Sequence, residues 1–458
     1  MTDTQLFQQA RQARDSRFDG VFFVAVKSTG IFCRPICPAP APKEQNVEYF
    51  SLAPLAIQAG YRPCLRCRPD SAPGSYAWKG VDTTVERAVT LLTSFPELTV
   101  IQICEKLGVS DRYLRDLFIR KLGIAPKKFR LYDQLLFAKN LLHNSGLNIE
   151  QVAQASGFSS ARRLQDNLKT SLQLTPSQIR KSDNSDLTRI KPTNLQRLSI
   201  RLAFRQPYHW PHLRDFLAIR AIPGVEEVTQ GSYAKNFSLE GVQGHFTAIF
   251  EAQKNSFLVE LQISDLRQIK AVVYHIRRVL DLDCDPDLIR QGLLQAGIKP
   301  EDLLEGIRLP GVWSPFEAGC RAILGQQISV KAAINLVSLL VQKLGIQADS
   351  LLYFPSPQAV AESDLNFLKM PDKRRQTLRD FARYQIDNHE QSDLSQWLRI
   401  KGVGPWTVAY AQMRGQSQPD IWLNTDLVVK KQIVKNALND EQAAPWRSYL
   451  TFQLWSMA

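Results

Sequence analysis

Phe32-Cys33-Arg34-Pro35-Ile36-Cys37 and, after 26 intervening residues, Cys64-Leu65-Arg66-Cys67 decide the fold of the first part of this chain. Two close cysteine pairs on separate turns can converge on one tetrahedral zinc ion, with sulfurs about 2.3 Å from the metal. Pro35, Pro38 and Pro63 stiffen those turns, and Gly60 frees another. The spacing therefore predicts one zinc held by Cys33, Cys37, Cys64 and Cys67. Seven cysteines in 458 residues are too few for a disulfide scaffold and fit a reducing compartment. Cys104, Cys284 and Cys320 stand in apolar helical contexts and read as core. Four thiolates on a divalent ion make a doubly negative site whose sulfurs stay deprotonated at neutral pH. On spacing alone, the site reads as a structural knuckle.

At about 150 residues per domain, the length suggests about three folding units. The composition, 44% hydrophobic and 22% charged, excludes wholesale disorder and collagen-like structure. No run of about 18 apolar residues occurs, so no helix is expected to span a membrane. The opening Met1-Thr2-Asp3-Thr4-Gln5 lacks a basic and an apolar signal region, which predicts a cytoplasmic protein. Net charge is +13. Residues 1–80 carry a net +4 and residues 81–190 a net +5, leaving +4 for the longer remainder. A basic excess concentrated near the N-terminus fits a polyanionic partner, and a merely soluble surface is the alternative.

Residues 82–181 read as a row of amphipathic helices. Thr99-Val100-Ile101-Gln102 has capping-box spacing, and its helix ends near Gly108. Ser110 caps Asp111–Leu122, which carries Arg112, Arg115, Arg120 and Lys121. Helix, short glycine turn, helix is the helix-turn-helix pattern. It recurs: Asn148-Ile149-Glu150-Gln151 opens Ile149–Ser156, Gly157 turns, and Ser159–Ser171 carries Arg162, Arg163 and Lys169. A long helix around Pro126–Asn144 joins the copies. A plain bundle with solvated charges is the alternative.

The polar run Lys181–Asp186 and Lys191-Pro192-Thr193-Asn194 predict a linker. Leu198–Phe204 and Ser256–Ile263 alternate as strands, and Phe216–Ala221 and Leu266–Leu280 read as helices. This mixture predicts an α+β unit. From Pro286 the pattern is helical. Leu398-Arg399-Ile400-Lys401-Gly402-Val403-Gly404-Pro405-Trp406-Thr407-Val408-Ala409-Tyr410 sets a G-V-G turn between helices. Gly402 and Gly404 let backbone approach a phosphate, toward which the next helix points its positive end. Asp426 follows 22 residues after Gly404.

Three resemblances attach to these words. Phe22–Cys37 and Gly60-Tyr61-Arg62-Pro63-Cys64-x-Arg66-Cys67-x-Pro69-Asp70 resemble the N-terminal domain of Ada-type alkylation-response regulators. That resemblance implies that Cys33 irreversibly accepts methyl from a DNA methyl phosphotriester, with Cys37, Cys64 and Cys67 as the other zinc ligands. A methyl phosphotriester is neutral, so a negative site can reach it; methylation then leaves the site singly negative and weakens its repulsion of DNA. The two helix-turn-helix copies, each followed by a step such as Leu122-Gly123-Ile124-Ala125-Pro126 or Leu172-Gln173-Leu174-Thr175-Pro176, resemble the AraC-type DNA-binding domain. Gln173 stands where that family usually has Gly.

Residues 198–458 resemble AlkA-type DNA-3-methyladenine glycosylases, and the glycine turn with a later Asp is their helix-hairpin-helix signature. Gln206-Pro207-Tyr208-x-Trp210, Phe216-Leu217-Ala218-x-Arg220-Ala221, Phe316–Val330 and Pro445-Trp446-Arg447-Ser448-Tyr449 also fit. The resemblance implies that Asp426 is the catalytic carboxylate, that Trp406, Tyr410 and Trp446 line the base pocket, and that Gln326 sits at its edge. Gln327 falls at the wedge position, with a polar side chain in place of an apolar one. Trp406 holds the place of the Schiff-base lysine of lyase-competent relatives, which implies a monofunctional glycosylase. Lys401 replaces the usual Pro and is a phosphate contact or a solvated residue.

The expected fold class is multidomain, mainly α with α+β parts. It comprises an Ada-type zinc domain (1–80), an AraC-type double helix-turn-helix (81–181), a linker (182–194), an AlkA-type α+β domain (195–281) and a helix-hairpin-helix glycosylase domain (282–458). Expected partners are alkylated and promoter double-stranded DNA and RNA polymerase, with a place in the nucleoid. No Pro-Cys-His-Arg word occurs, so the guanine-O6 methyltransferase part of full Ada proteins is not expected. Two other readings stay open: a damage-sensing transcription factor without glycosylase activity, and a glycosylase targeted to DNA by a purely structural zinc module.

Overall fold

A computed structural model describes the chain apart from residues 1–2, 16–17, 68, 70–82, 95–97, 181–195, 349 and 389–392. The expected linker therefore lies outside the described residues. The chain divides into two compact units, Met1–Ala203 with Leu258–Tyr274, and Phe204–Phe257 with His275–Ala458.

The first unit begins with a small sheet built around the cysteines. Strands β1 (Phe23–Val26), β2 (Ile31–Cys33), β3 (Val47–Phe50) and β4 (Arg62–Pro63) lie in the order β3-β1-β2-β4. Strands β1 and β2 form a hairpin with Val24 opposite Cys33. Strand β4 runs parallel to β2, with Phe32 opposite Pro63, so Cys33 and Cys64 leave neighbouring strands side by side. The apolar cluster beneath is small: Ala10, Phe22 and Val24, with Phe7 stacked on Phe22 at 4.3 Å. On the other face Phe23, Ala25, Phe32, Leu52, Ala56 and Ile57 are also buried, so the metal and this apolar packing together fasten the lobe.

The helices that follow begin where local capping dictates. Thr99 Oγ1 accepts from Gln102 N–H at 3.2 Å, and Gln102 Oε1 accepts from Thr99 N–H at 2.8 Å, starting Val100–Leu107. Gly108 ends it at φ +67°, a left-handed conformation open to glycine. Ser110 caps Asp111–Leu122, Pro126–Asn144 follows, and the Asn148 capping box opens Ile149–Ala155. The second copy departs from expectation at its next helix. It runs only Ala161–Asn167 and then widens into a π turn over Leu168–Leu172. The widened turn ends in Gln173 at φ +55°, the counterpart of Gly123 at φ +71°. The left-handed cap explains the glycine preference there, and Gln173 Nε2 donates to Gly60 O at 3.3 Å.

Residues 258–274 pack on these helices, with Lys270 ion-paired to Asp133. The compact unit thus cuts across the expected 195–281 boundary. The second unit carries an antiparallel run of Glu226–Val228, Ser232–Leu239 and Val242–Glu251. Its first helix is Trp210–Ala218, several residues earlier than Phe216–Ala221, because His209 Nδ1 accepts from His212 N–H at 3.1 Å and caps it. Two helical cores follow. One gathers Ile323, Val337, Leu340, Leu378, Phe381 and Trp397; the other gathers Ile289, Leu293, Val429, Tyr449, Leu450 and Phe452. Helix Pro405–Gly415 joins them, giving Val408 and Ala411 to the first core and Met413 to the second. Burial on both sides fixes the direction of its remaining stripe.

Candidate functional site

The four cysteines converge. Their sulfurs all lie within 4.8 Å of one another, whereas thiolates around a tetrahedral zinc stand roughly 3.8 Å apart. The donor set fits one zinc ion, and Cys33, Cys37, Cys64 and Cys67 hold it. Absent a metal, such a cluster shares its protons: bonding to Cys37 and its neighbours pushes the Cys33 thiol up, while bonding to Cys33 pushes Cys37 down to about 7 and Cys64 well down.

The sulfurs are not equivalent. Cys67 accepts the Arg34 N–H at 3.3 Å, Cys37 accepts from the backbone of Ala39, and Cys64 from that of Cys67. Among the described residues, Cys33 has no backbone donor. Each N–H···S bond withdraws electron density from its sulfur. Cys64 and Cys67 are buried, and Cys33 and Cys37 are half-buried. Of the two reachable sulfurs, Cys33 is the electron-rich one. Arg34 is held by Asp19, with Nε to Oδ1 at 2.6 Å, which fixes the turn between Cys33 and Cys37.

Arg112, Arg115, Arg162 and Arg163 are all exposed on the two expected recognition helices. None makes a side-chain hydrogen bond or ion pair among the described residues. Lys121 and Lys169 are exposed on the same segments.

In the second unit Asp426 caps helix Leu427–Asn436. Its Oδ1 accepts from Val428 N–H at 3.0 Å, from Val429 N–H at 3.1 Å and from Trp455 Nε1 at 3.3 Å. Its Oδ2 accepts from Trp406 Nε1 at 3.3 Å, leaving that oxygen the freer of the two. Trp406 and Tyr410, one helical turn apart, stack at 5.1 Å and 18°, and both are half-buried. The hairpin before them is tight: Gly402 sits at φ +92°, where a Cβ would stand 2.2 Å from Thr377 Oγ1. Gly404 caps the helix, and a Cβ there would meet nothing within 4 Å. Its backbone faces open space, as a close-approaching ligand requires. Gln326 Nε2 donates to Gly402 O at 3.1 Å and Thr407 Oγ1 at 3.3 Å, so this side chain braces the hairpin. Gln327 is exposed at φ +59°, in a loop whose exposed apolar side chain is Ile328. Lys401 is exposed.

Trp446 needs correction. It is 4% exposed, within the core of Ile289 and Leu293, and its Cδ1 lies where a Cβ on Gly292 would come within 2.6 Å. That ring is packing. The indole that meets Asp426 is Trp455, nine residues on, and sequence reasoning missed it because Thr451-Phe452-Gln453-Leu454-Trp455 reads as an ordinary apolar helix. The Phe216 ring lies nearly parallel to that of Trp455, 8° apart with centroids at 6.3 Å. Trp455 and Phe216 thus join Trp406 and Tyr410 around the carboxylate.

Comparison with known proteins finds the same three kinds of domain. The metal-binding domain of Ada matches residues 7–70, a helix-turn-helix domain matches 103–182, and the AlkA N-terminal domain matches 199–314. The probable bifunctional transcriptional activator/DNA repair enzyme AlkA of Mycobacterium tuberculosis is 31% identical, over 99% of this chain and 96% of that protein. DNA-3-methyladenine glycosylase 2 of Escherichia coli is 31% identical, over 56% of this chain and 95% of its own length. The bifunctional transcriptional activator/DNA repair enzyme Ada of Escherichia coli is 35% identical, over 28% of this chain and 36% of its own. The chain belongs to the family of bifunctional transcriptional activator/DNA repair enzymes in which an Ada-type zinc domain and a helix-turn-helix domain precede an AlkA-type glycosylase.

Proposed function

We propose that this protein accepts methyl groups from DNA methyl phosphotriesters on Cys33, binds promoter DNA through its helix-turn-helix copies, and hydrolyses the N-glycosidic bond of alkylated purines such as 3-methyladenine. The observation that carries the reading is the Asp426 carboxylate between the indoles of Trp406 and Trp455, just beyond a glycine hairpin. The proposed domains are 1–80, 81–181, 195–281 and 282–458, with the linker at 182–194. RNA polymerase is the proposed protein partner at the promoter, and the nucleoid the proposed location.

Bound zinc keeps the four sulfurs as thiolates. The Cys33 sulfur, without a backbone N–H to quench it, attacks the ester methyl carbon; the C–O bond breaks and the phosphodiester leaves as an anion. Three quenched sulfurs stay ligands. Arg112, Arg115, Arg162 and Arg163 supply free guanidinium groups for phosphates and base edges.

In the second unit, Gly402 and Gly404 bring backbone to a phosphate while Gln327 and Ile328 enter the gap left by the extruded nucleotide. The aromatic faces hold the base. Alkylation at N3 or N7 makes the purine cationic and weakens its glycosidic bond. When the bond breaks, its electron pair goes to the base and an oxocarbenium forms on the sugar. The Asp426 charge stabilises that cation and helps place the water that captures it. The freer Oδ2 suits this task.

Trp406 offers no amine, so the reaction proposed is hydrolysis alone. Intact protein incubated with methylated duplex releases base without strand cleavage, and borohydride traps no covalent adduct. A trapped adduct that disappears in Lys401→Ala contradicts this; failure to release any alkylated base contradicts the glycosylase reading itself and leaves the damage-sensing transcription factor.

A further inference from the structure

Helix Pro405–Gly415 carries Trp406, Tyr410 and Arg414 four residues apart, a single stripe whose ends lie about 12 Å from each other at 1.5 Å per residue. The near end touches the carboxylate through Trp406. At the far end Arg414 Nη1 donates to the Tyr410 hydroxyl oxygen at 2.8 Å. The second ring pair repeats this polarity: Trp455 donates to Asp426, and Phe216 lies 4.8 Å from the Arg414 guanidinium. Both ring pairs run from the same anion to the same cation. Arg220 adds a second guanidinium there, 3.7 Å from the Phe216 ring.

The positive end is not neutralised by carboxylates. Arg414 is 2% exposed, and its other bonds go to the carbonyl oxygens of Pro310, at 2.7 Å, and Gly311. Arg220 donates to the Phe216 carbonyl at 3.3 Å. Neither has an ion pair among the described residues. The nearby Arg321, in contrast, is matched by Glu226 and Glu317. Burial by itself would raise the Tyr410 phenol, yet the charges of Arg414, Arg220 and Arg321 outweigh it and lower it. With one oxygen lone pair taken by Arg414, the Tyr410 proton is left for an acceptor outside that pair.

We infer that the extruded purine lies with its imidazole ring toward Asp426 and its six-position toward Tyr410, and that Tyr410 is a specificity-determining residue favouring a 6-oxo purine. This rests on the glycosylase reading above and deepens it. Among N7-alkylated purines, guanine is then preferred over adenine. Alkylation at N7 puts positive charge on the five-membered ring, beside the carboxylate, and leaves an electron-rich carbonyl at the cationic end. An adenine-type base presents an amino group at the same place, N–H against O–H, within a positive field. Arg414 acts as a positioning residue, through the Tyr410 hydroxyl.

The test compares duplexes bearing a single N7-methylguanine or a single N7-methyladenine, both cationic and alkylated at the same atom. Single-turnover release by the full chain gives a rate ratio, and the change of that ratio in a variant cancels the bases' own lability. Tyr410→Phe is expected to lower the guanine-to-adenine ratio about tenfold, the loss of one charge-assisted hydrogen bond. Arg414→Lys, checked by its melting temperature, lowers the same ratio, and the double variant lowers it no further. A ratio untouched by Tyr410→Phe while both bases are still released overturns the assignment and leaves the glycosylase reading standing. Release of neither base by the unaltered protein overturns both.

Discussion

Asp426→Asn folds and releases alkylated purines about 10²–10³-fold more slowly than the unaltered protein, the usual cost of removing one preorganised electrostatic partner from a transition state. The substitution removes the charge and keeps the helix cap. An Asn oxygen still accepts from Val428 and Val429 N–H, so the cap on helix Leu427–Asn436 survives. The Trp455 indole keeps its acceptor as well. What disappears is the negative charge next to the developing oxocarbenium, with the bond from Trp406 Nε1, which then faces the amide nitrogen. Single-turnover release from a methylated duplex, together with a melting curve, separates the two contributions. An unchanged melting temperature with a collapsed rate is the expected pair. Release at the original rate would remove Asp426 from the chemistry and favour a C-terminal half that only binds DNA.

Chelating the zinc opens the N-terminal lobe. Its sheet has one short parallel pairing, β2 with β4, and the residues at that junction are Cys33 and Cys64. Cys33, Cys37, Cys64 and Cys67 gather within 4.8 Å of one another at that junction, so the metal ties its turns together. Binding at structural zinc sites is worth about 10–16 kcal/mol in small domains at neutral pH, and that free energy is folding free energy. Hydrogen exchange on strands Phe23–Val26 and Ile31–Cys33 should therefore rise by several orders of magnitude after chelation. Exchange within helix Pro405–Gly415 should not change. Protected strands in the metal-free protein would show that the cysteines contribute little to the fold.

How far the sequence could be read depended on whether the cause was local. Cysteine spacing is local, and the four sulfurs meet. Caps are local too: Thr99, Ser110 and Asn148 start the helices that their side chains predict. Gly402 is legible because a tight turn demands it. Trp446 and Trp455 show where the reading stops. Both lie on apolar stretches near the C-terminus, and only tertiary packing distinguishes them. Gly292 takes the ring of Trp446 into the core, while Asp426 accepts the N–H of Trp455. Arg414 is likewise invisible in sequence, since a basic residue in a last helical turn usually answers the helix dipole. Here it is buried against Tyr410. The π turn over Leu168–Leu172 has no composition signal, and it widens the end of the expected helix.

The central claim is that one sulfur of the metal cluster, Cys33, takes up methyl carbon while its three partners remain ligands. Its most direct measurement is the mass of the peptide spanning Cys33 and Cys37, with fragmentation to the residue, after incubation with DNA bearing methyl phosphotriesters. One added methyl group on Cys33, and none on Cys37, Cys64 or Cys67, is the predicted result. Unmodified cysteines, or methyl on another of the four, would contradict it.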